Sequence, residues 1–151
     1  AQDKRVRVVP SRTIPQGVAA MFEYSNERDN NDLDEIAAAM NAALSNVVTI
    51  EVTTATRSTT LNGVTVREGQ LIGLVDDEMT AAGEDFFPLM KTLLEKAGAD
   101  KRELITLYYG DIIAAGEAQQ LSDRLSSNFP GQVFQIVNGG QPLYPYIVSV
   151  E

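Results

Sequence analysis

NGGQPLYPYIVSVE, residues 138–151, closes the chain. Gly139 and Gly140 permit backbone angles closed to other residues, Pro142 and Pro145 stiffen the bend that follows, and residues 147–150 form an apolar strand. Chain ends fray unless they are tied down, so a terminus that finishes on Ile147, Val148 and Val150 predicts a strand inserted into a sheet built by earlier elements. Those elements must leave a slot for it.

Working back from that strand, the rest of the chain alternates strand and helix signals. Residues 104–109 predict a central strand, and the turn at Gly110-Asp111 leads to a helix carrying Ala118, Leu121 and Leu125, stopped by Phe129-Pro130-Gly131 before a penultimate strand over 133–137. Asp85 is placed to cap a helix whose buried side is Phe86, Leu89, Met90, Leu93, Leu94 and Ala97, ended by Gly98. Between 59 and 82 the pattern is strand after strand, with turns at Asn62-Gly63, Glu68-Gly69 and Asp76-Asp77. Within it Leu71, Ile72, Leu74 and Val75 read as a strand covered on both faces, with Gly73 admitting a close neighbour. Val48, Ile50 and Val52 alternate with Thr49, Glu51 and Thr53, which predicts a half-buried strand.

The amino-terminal third reads as a short buried strand over residues 5–9, a helix with Thr13 and Gln16 at capping-box spacing and Val18, Ala19, Met21 and Phe22 on its buried side, and a loop over 25–31. A second helix follows, with Asp32 and Glu35 as its capping box. Together these elements predict one α/β domain over residues 1–151: a mixed β-sheet with helices packed on it and an inserted antiparallel hairpin region.

Composition narrows the chemistry. The 151 residues contain neither cysteine nor histidine, which removes disulfides, thiolate nucleophiles, imidazole bases and the common metal ligands. A chain without cysteine is compatible with the reducing cytoplasm, the compartment expected here. Twelve basic against 21 acidic residues give a net charge of -9, which repels nucleic acid and anionic membrane surfaces. No apolar run reaches the roughly 20 residues of a membrane span. The chain opens within a few residues of its first expected strand and without methionine, so a piece of a longer polypeptide is expected.

Four separated motifs carry a resemblance: VRVVPSRTIPQGVAAM at 6–21, LNGVTVREGQLIGLVDDEMTAAGED at 61–85, ITLYYG at 105–110 and GGQPLYPYIVSVE at 139–151. In this order they resemble the carboxy-terminal domain of the dihydroxyacetone-kinase-like bacterial fatty acid kinases. The resemblance implies a non-catalytic domain, distantly similar in fold to DegV-type fatty-acid-binding proteins and to the substrate-binding subunit of dihydroxyacetone kinase. It implies a DegV-type fatty-acid-binding partner whose acyl carboxylate is phosphorylated elsewhere, on a kinase domain that holds ATP and magnesium. No cofactor is implied for this domain. That substrate-binding subunit holds its substrate through a histidine, which this chain lacks, so that role is not carried over. The resemblance also implies a further strand and helix before the VPSRT segment, whose absence would expose a sheet edge.

Candidate binding residues fall in three places. Ser11, Arg12 and Thr13 lie between the first expected strand and its helix, where helix amides attract anions; the plainer reading is a cap and a solvated charge. Tyr108, Tyr109, Gly139, Gly140 and Tyr144 cluster where the central strand ends and the closing loop begins, and tyrosine is favoured at interfaces. Arg57, followed by Ser58, Thr59 and Thr60, could grip a phosphate or carboxylate, against the plainer reading of a solvated edge. Asp76, Asp77, Glu78, Glu84 and Asp85 occupy a turn and a cap, and are not expected to hold metal. The function expected from the resemblance is partner docking. The alternatives are a small-ligand domain holding an acyl or phosphorylated metabolite, and a structural homodimerisation domain.

Overall fold

A computed structural model describes residues 4–151. The chain divides into two compact units, residues 1–47 and 48–151.

The first unit is a pair of helices, α1 (Ile14–Glu27) and α2 (Leu33–Ser45), packed on each other. The capping signals in the sequence set both starts. Thr13 Oγ1 accepts the Gln16 amide at 3.3 Å, and the Gln16 side chain accepts the Arg12 amide at 2.9 Å. At α2 the reciprocal box is complete: Asp32 Oδ1 accepts the amides of Asp34 and Glu35, and the Glu35 carboxylate accepts the Asp32 amide. These bonds hold the Asp32 carboxyl below its usual range, the Glu35 amide first and Asp34 second.

Three expectations fail in this unit. Residues 5–9 form no strand, and Val6 and Val8 are 69% and 77% exposed. The physical reason is alternation: Arg5 and Arg7 both reach Asp34 at the start of α2, at 2.6 and 2.5 Å, which turns Val6 between them and Val8 after them away. The apolar stripe of α1 is the second. Val18, Met21 and Phe22 are exposed, and the buried positions are Pro15 and Ala20. The third is the loop at 25–31, since α1 continues through Glu27.

The second unit carries a six-stranded sheet with the order β5-β4-β1-β8-β6-β7. Its strands are β1 (Val48–Thr54), β4 (Leu71–Val75), β5 (Glu78–Gly83), β6 (Leu104–Tyr109), β7 (Val133–Asn138) and β8 (Tyr146–Val150), and β2 (Thr59–Leu61) pairs with β3 (Val64–Val66) as a separate hairpin. The carboxy-terminal strand fills the expected slot. It runs antiparallel to both β1 and β6, with Ile50 opposite Val148 and Leu107 opposite Val148, and every residue of it is buried. The centre of the sheet is therefore β1 and β8, whereas β6, expected to be central, lies one place from the edge. The pair β6 and β7 is parallel and the rest antiparallel, so the sheet is mixed.

The turns are those the sequence signalled. Asn62 and Gly63 both have positive φ (52° and 78°), as do Asp76 and Asp77 (47° and 68°), which matches the twist of tight hairpins. Asp76 also accepts the Thr49 amide at 2.9 Å. Leu71, Ile72, Leu74 and Val75 are half-buried rather than sealed on both faces, and only Gly73 is fully buried, against the Leu93 side chain.

Helices α3 (Phe86–Lys96) and α4 (Ala115–Ser126) cover one sheet face. The core forms between Leu89, Met90, Leu93 and Leu94 of α3, Leu121 and Leu125 of α4, and Ile50, Val52, Ile105, Leu107 and Val148 of the strands. Apolar residues at helical spacing meet alternating strand residues there, and burial of such side chains supplies the main stabilising term. Asp85 sits at the N-cap position of α3 but makes no side-chain capping bond.

Candidate functional site

The parallel pair β6 and β7 ends at Tyr109 and Asn138, and beyond such carboxyl ends α/β sheets place their functional loops. Here the loop at 110–113 and the closing loop at 139–145 are tied together. The Gly139 and Gly140 amides both donate to the Tyr109 carbonyl at 3.1 and 3.2 Å, Gly110 donates to Pro145 at 2.9 Å, and Asp111 donates to Gln141 at 3.2 Å. Gln141 Nε2 bridges the carbonyls of Tyr108 and Tyr144 at 2.9 and 3.1 Å. Gly110 is required by this closeness, because a Cβ there would lie 2.5 Å from the Tyr144 carbonyl oxygen. The glycine pair thus spends its amides on strand β6 and is a hinge rather than an anion cradle.

The structure brings together five expected site residues, Tyr108, Tyr109, Gly139, Gly140 and Tyr144. Tyr109 is half-buried against the core, and Tyr144 is half-buried within the loop. Burial, with a smaller contribution from the Glu151 carboxylate, pushes the Tyr108 phenol up, so it stays protonated at neutral pH. Arg57 lies apart in the exposed bend after β1, beside Ser58, whose hydroxyl accepts the Glu68 amide at 3.0 Å. Ser11, Arg12 and Thr13 belong to the first unit, where Ser11 and Arg12 are exposed and Thr13 caps α1.

Residues that sequence reasoning passed over stand out at the loop tip. Leu143 has φ of 69° and is 80% exposed, while Thr53 Oγ1 donates to its carbonyl at 2.9 Å. A non-glycine residue in the left-handed region is held there at a cost of about 1–2 kcal/mol. Ile112, on the adjoining loop, is 70% exposed. The signal for Leu143 was available only as a Pro-Leu-Tyr-Pro run, which predicts a bend but not which residue takes the strained angle.

A cleft lined by Tyr146 and Ile113 lies between the first turn of α3 and α4. Phe86 meets the Tyr146 ring edge-on at 5.1 Å, and the Arg124 guanidinium lies 3.9 Å from the centre of the Phe87 ring. No cluster of three or more acidic side chains is arranged to hold a metal among the described residues, and no helix among them is long and apolar enough to cross a membrane.

The FakA-like carboxy-terminal family, named for a component of fatty acid kinase, matches residues 1–151. This chain belongs to that family. Its relatives include protein YloV of Bacillus subtilis, 31% identical over 149 residues, covering 99% of this chain and 26% of YloV. A protein of Staphylococcus epidermidis is 31% identical over 144 residues, covering 95% of this chain and 26% of its own length. The chain thus spans 26% of the length of these relatives. Among solved structures, the DegV family protein Cg2579 of Corynebacterium glutamicum matches with a TM-score of 0.65 at 17% identity, over 99% of this chain and 64% of that one. A DegV-family protein of Ruminococcus gnavus, described with vaccenic acid, matches with a TM-score of 0.55 at 10% identity, over 88% of this chain and 55% of that one. The family member therefore has a DegV-like mixed α/β fold, as the resemblance implied.

Proposed function

We propose that this chain is the non-catalytic carboxy-terminal domain of a cytoplasmic fatty acid kinase, and that it docks a DegV-type fatty-acid-binding protein. Docking brings the partner's acyl carboxylate to ATP and magnesium held by a kinase domain elsewhere in the longer protein. The domain contributes proximity, since positioning two reactants lowers a barrier by several kcal/mol (about 7–11 at the limit) without a catalytic group of its own. Family membership supports the kinase context. The observation that carries the docking face is Leu143, an apolar side chain presented to solvent by a left-handed backbone that neighbouring hydrogen bonds enforce. Strain of this kind persists where the surrounding structure over-determines it, and functional loops are where it gathers.

The test is calorimetric titration with the DegV-type protein, loaded and unloaded with fatty acid, and with ATP as a separate titrant. Saturable binding of the protein and none of ATP is expected. Leu143→Gly is expected to weaken docking at least tenfold while leaving the fold as stable or more so, because glycine relieves the left-handed strain. Ile112→Ser is expected to weaken it too. Wild-type affinity in both variants would remove this face, and no binding by the folded wild-type chain would remove docking itself.

A further inference from the structure

We propose that the cleft between the first turn of α3 and α4 binds a small amphipathic anion, an organic carboxylate or phosphate monoester. Its head pairs with Arg124 and its apolar body lies on Phe86, Ile113 and Leu121. The proposal does not depend on docking at the Leu143 loop, and the cleft lies wholly within the second unit.

The cleft measures about 500 Å³, within the usual range for small-molecule sites. Its floor is Tyr146, which is 1% exposed overall. The Tyr146 hydroxyl makes no hydrogen bond to any described residue, yet no buried side-chain polar atom among those residues is left without a partner. The hydroxyl is therefore not sealed in the core but reaches the cleft. A phenol at the end of a buried ring, reaching a cleft lined by both apolar and charged side chains and having no protein partner, is a polar group placed for a ligand. Burial, helped by the Glu117 carboxylate, raises its pKa to about 12, so it remains a donor.

Two further donors meet it. Arg124 makes no ion pair with any described residue, and its guanidinium plane is held against Phe87, which leaves the fork of N–H groups free for an oxyanion. In the first turn of α3 the Phe86 and Phe87 amides receive no cap from the Asp85 side chain, while Pro88 has no N–H and Leu89 donates to the Asp85 carbonyl. On the acidic side, Glu117 already accepts the Ala114 amide at 3.2 Å. Its charge and that of Asp85 disfavour a doubly charged head, which makes the carboxylate the tighter ligand.

The test is an amide-shift NMR titration of the whole chain with octanoate, octyl phosphate and octan-1-ol. Saturable shifts at Phe86, Phe87 and Arg124 are expected with both anions, octanoate binding more tightly, and octan-1-ol binding at least tenfold more weakly. Arg124→Met is expected to lower the affinity for both anions at least tenfold and to leave octan-1-ol unchanged. Tyr146→Phe, which keeps the buried ring, is expected to weaken both anions several-fold. Equal binding of octan-1-ol and octanoate, anion binding that survives Arg124→Met, or no shifts at millimolar anion would each overturn the proposal. The comparison of octanoate with octan-1-ol uses the unaltered chain, so it decides the question even if a variant unfolds.

Discussion

Both units of this chain carry the same kinds of sequence signal, apolar periodicity and capping residues, and the signals mean different things in the two. In residues 48–151 the apolar residues of α3 and α4 meet those of β1, β6 and β8, and Met90, Leu93, Leu94, Ile105 and Leu107 are sealed from solvent. In residues 1–47 the caps of both helices are where the sequence put them, but Val18, Met21 and Phe22 of α1 are exposed. Caps are local, a matter of one side chain and amides two or three residues away. Burial of a face depends on what lies opposite, and that is not written into the face itself.

The widest test of this contrast is a pair of substitutions followed by chemical denaturation. Leu93→Ala in the sealed core is expected to cost about 2–5 kcal/mol, since it removes a fully buried side chain and leaves a cavity. Phe22→Ser, at a residue 66% exposed, is expected to change stability by no more than about 0.5 kcal/mol. A cost for Phe22→Ser as large as that for Leu93→Ala would mean that α1 is buried in the folded state, and the contrast would fail.

A smaller effect is expected at the loop that closes the second unit. Gly110→Ala puts a Cβ 2.5 Å from the Tyr144 carbonyl oxygen and 2.7 Å from that of Gln141, and backbone on both sides cannot yield as a side-chain tip can. A loss of about 1–3 kcal/mol is expected, read as a shift in denaturation midpoint. An unchanged midpoint would show that the two loops are not locked together.

The smallest effects concern ionisation in the second unit. Burial first, and then Glu117, raise the Tyr146 phenol to about 12 in the folded state. The unfolded chain therefore ionises before the folded one, and the stability from this group is intact below about pH 10 and lost as pH rises toward 12. Stability measured across that window is expected to fall, and the Tyr146→Phe chain is expected to lose that part of the fall. Glu51 obeys the same sign at lower pH. Desolvation first, and then Asp77, raise its carboxyl, so its contribution is present in acid and lost as pH rises through the folded pKa. Glu51→Gln is expected to stabilise the chain slightly at neutral pH and to flatten that dependence.

How much of the site is legible in the sequence follows the same division. The glycine hinge, the tyrosines at the end of β6 and the bend at 142–145 are readable because glycine, proline and strand periodicity are properties of neighbours in sequence. Leu143 is legible only in part: the Tyr144 amide closes a tight local turn on the Pro142 carbonyl around it, but the bond to its own carbonyl comes from Thr53, 90 residues earlier. Tyr146 reads in sequence as part of the closing loop, but it opens the buried strand β8 and floors a cleft whose walls come from α3 and α4. Nothing in its neighbours announces an unpartnered hydroxyl.

From the amino acids in order came the α/β class, the hairpin turns at Asn62-Gly63 and Asp76-Asp77, the helix caps at Thr13 and Asp32, and a terminal strand demanding a slot, because each rests on φ preferences, periodicity or hydrogen bonds within a few residues. Which strands flank that slot, and that β8 rather than β6 stands at the centre, was decided only when distant strands paired. The same holds for the exposure of Leu143 and the joining of Arg124, Phe87 and Tyr146 around one cleft. These are contacts between residues far apart in the chain, and their energies exist only once the sheet and its helices have closed.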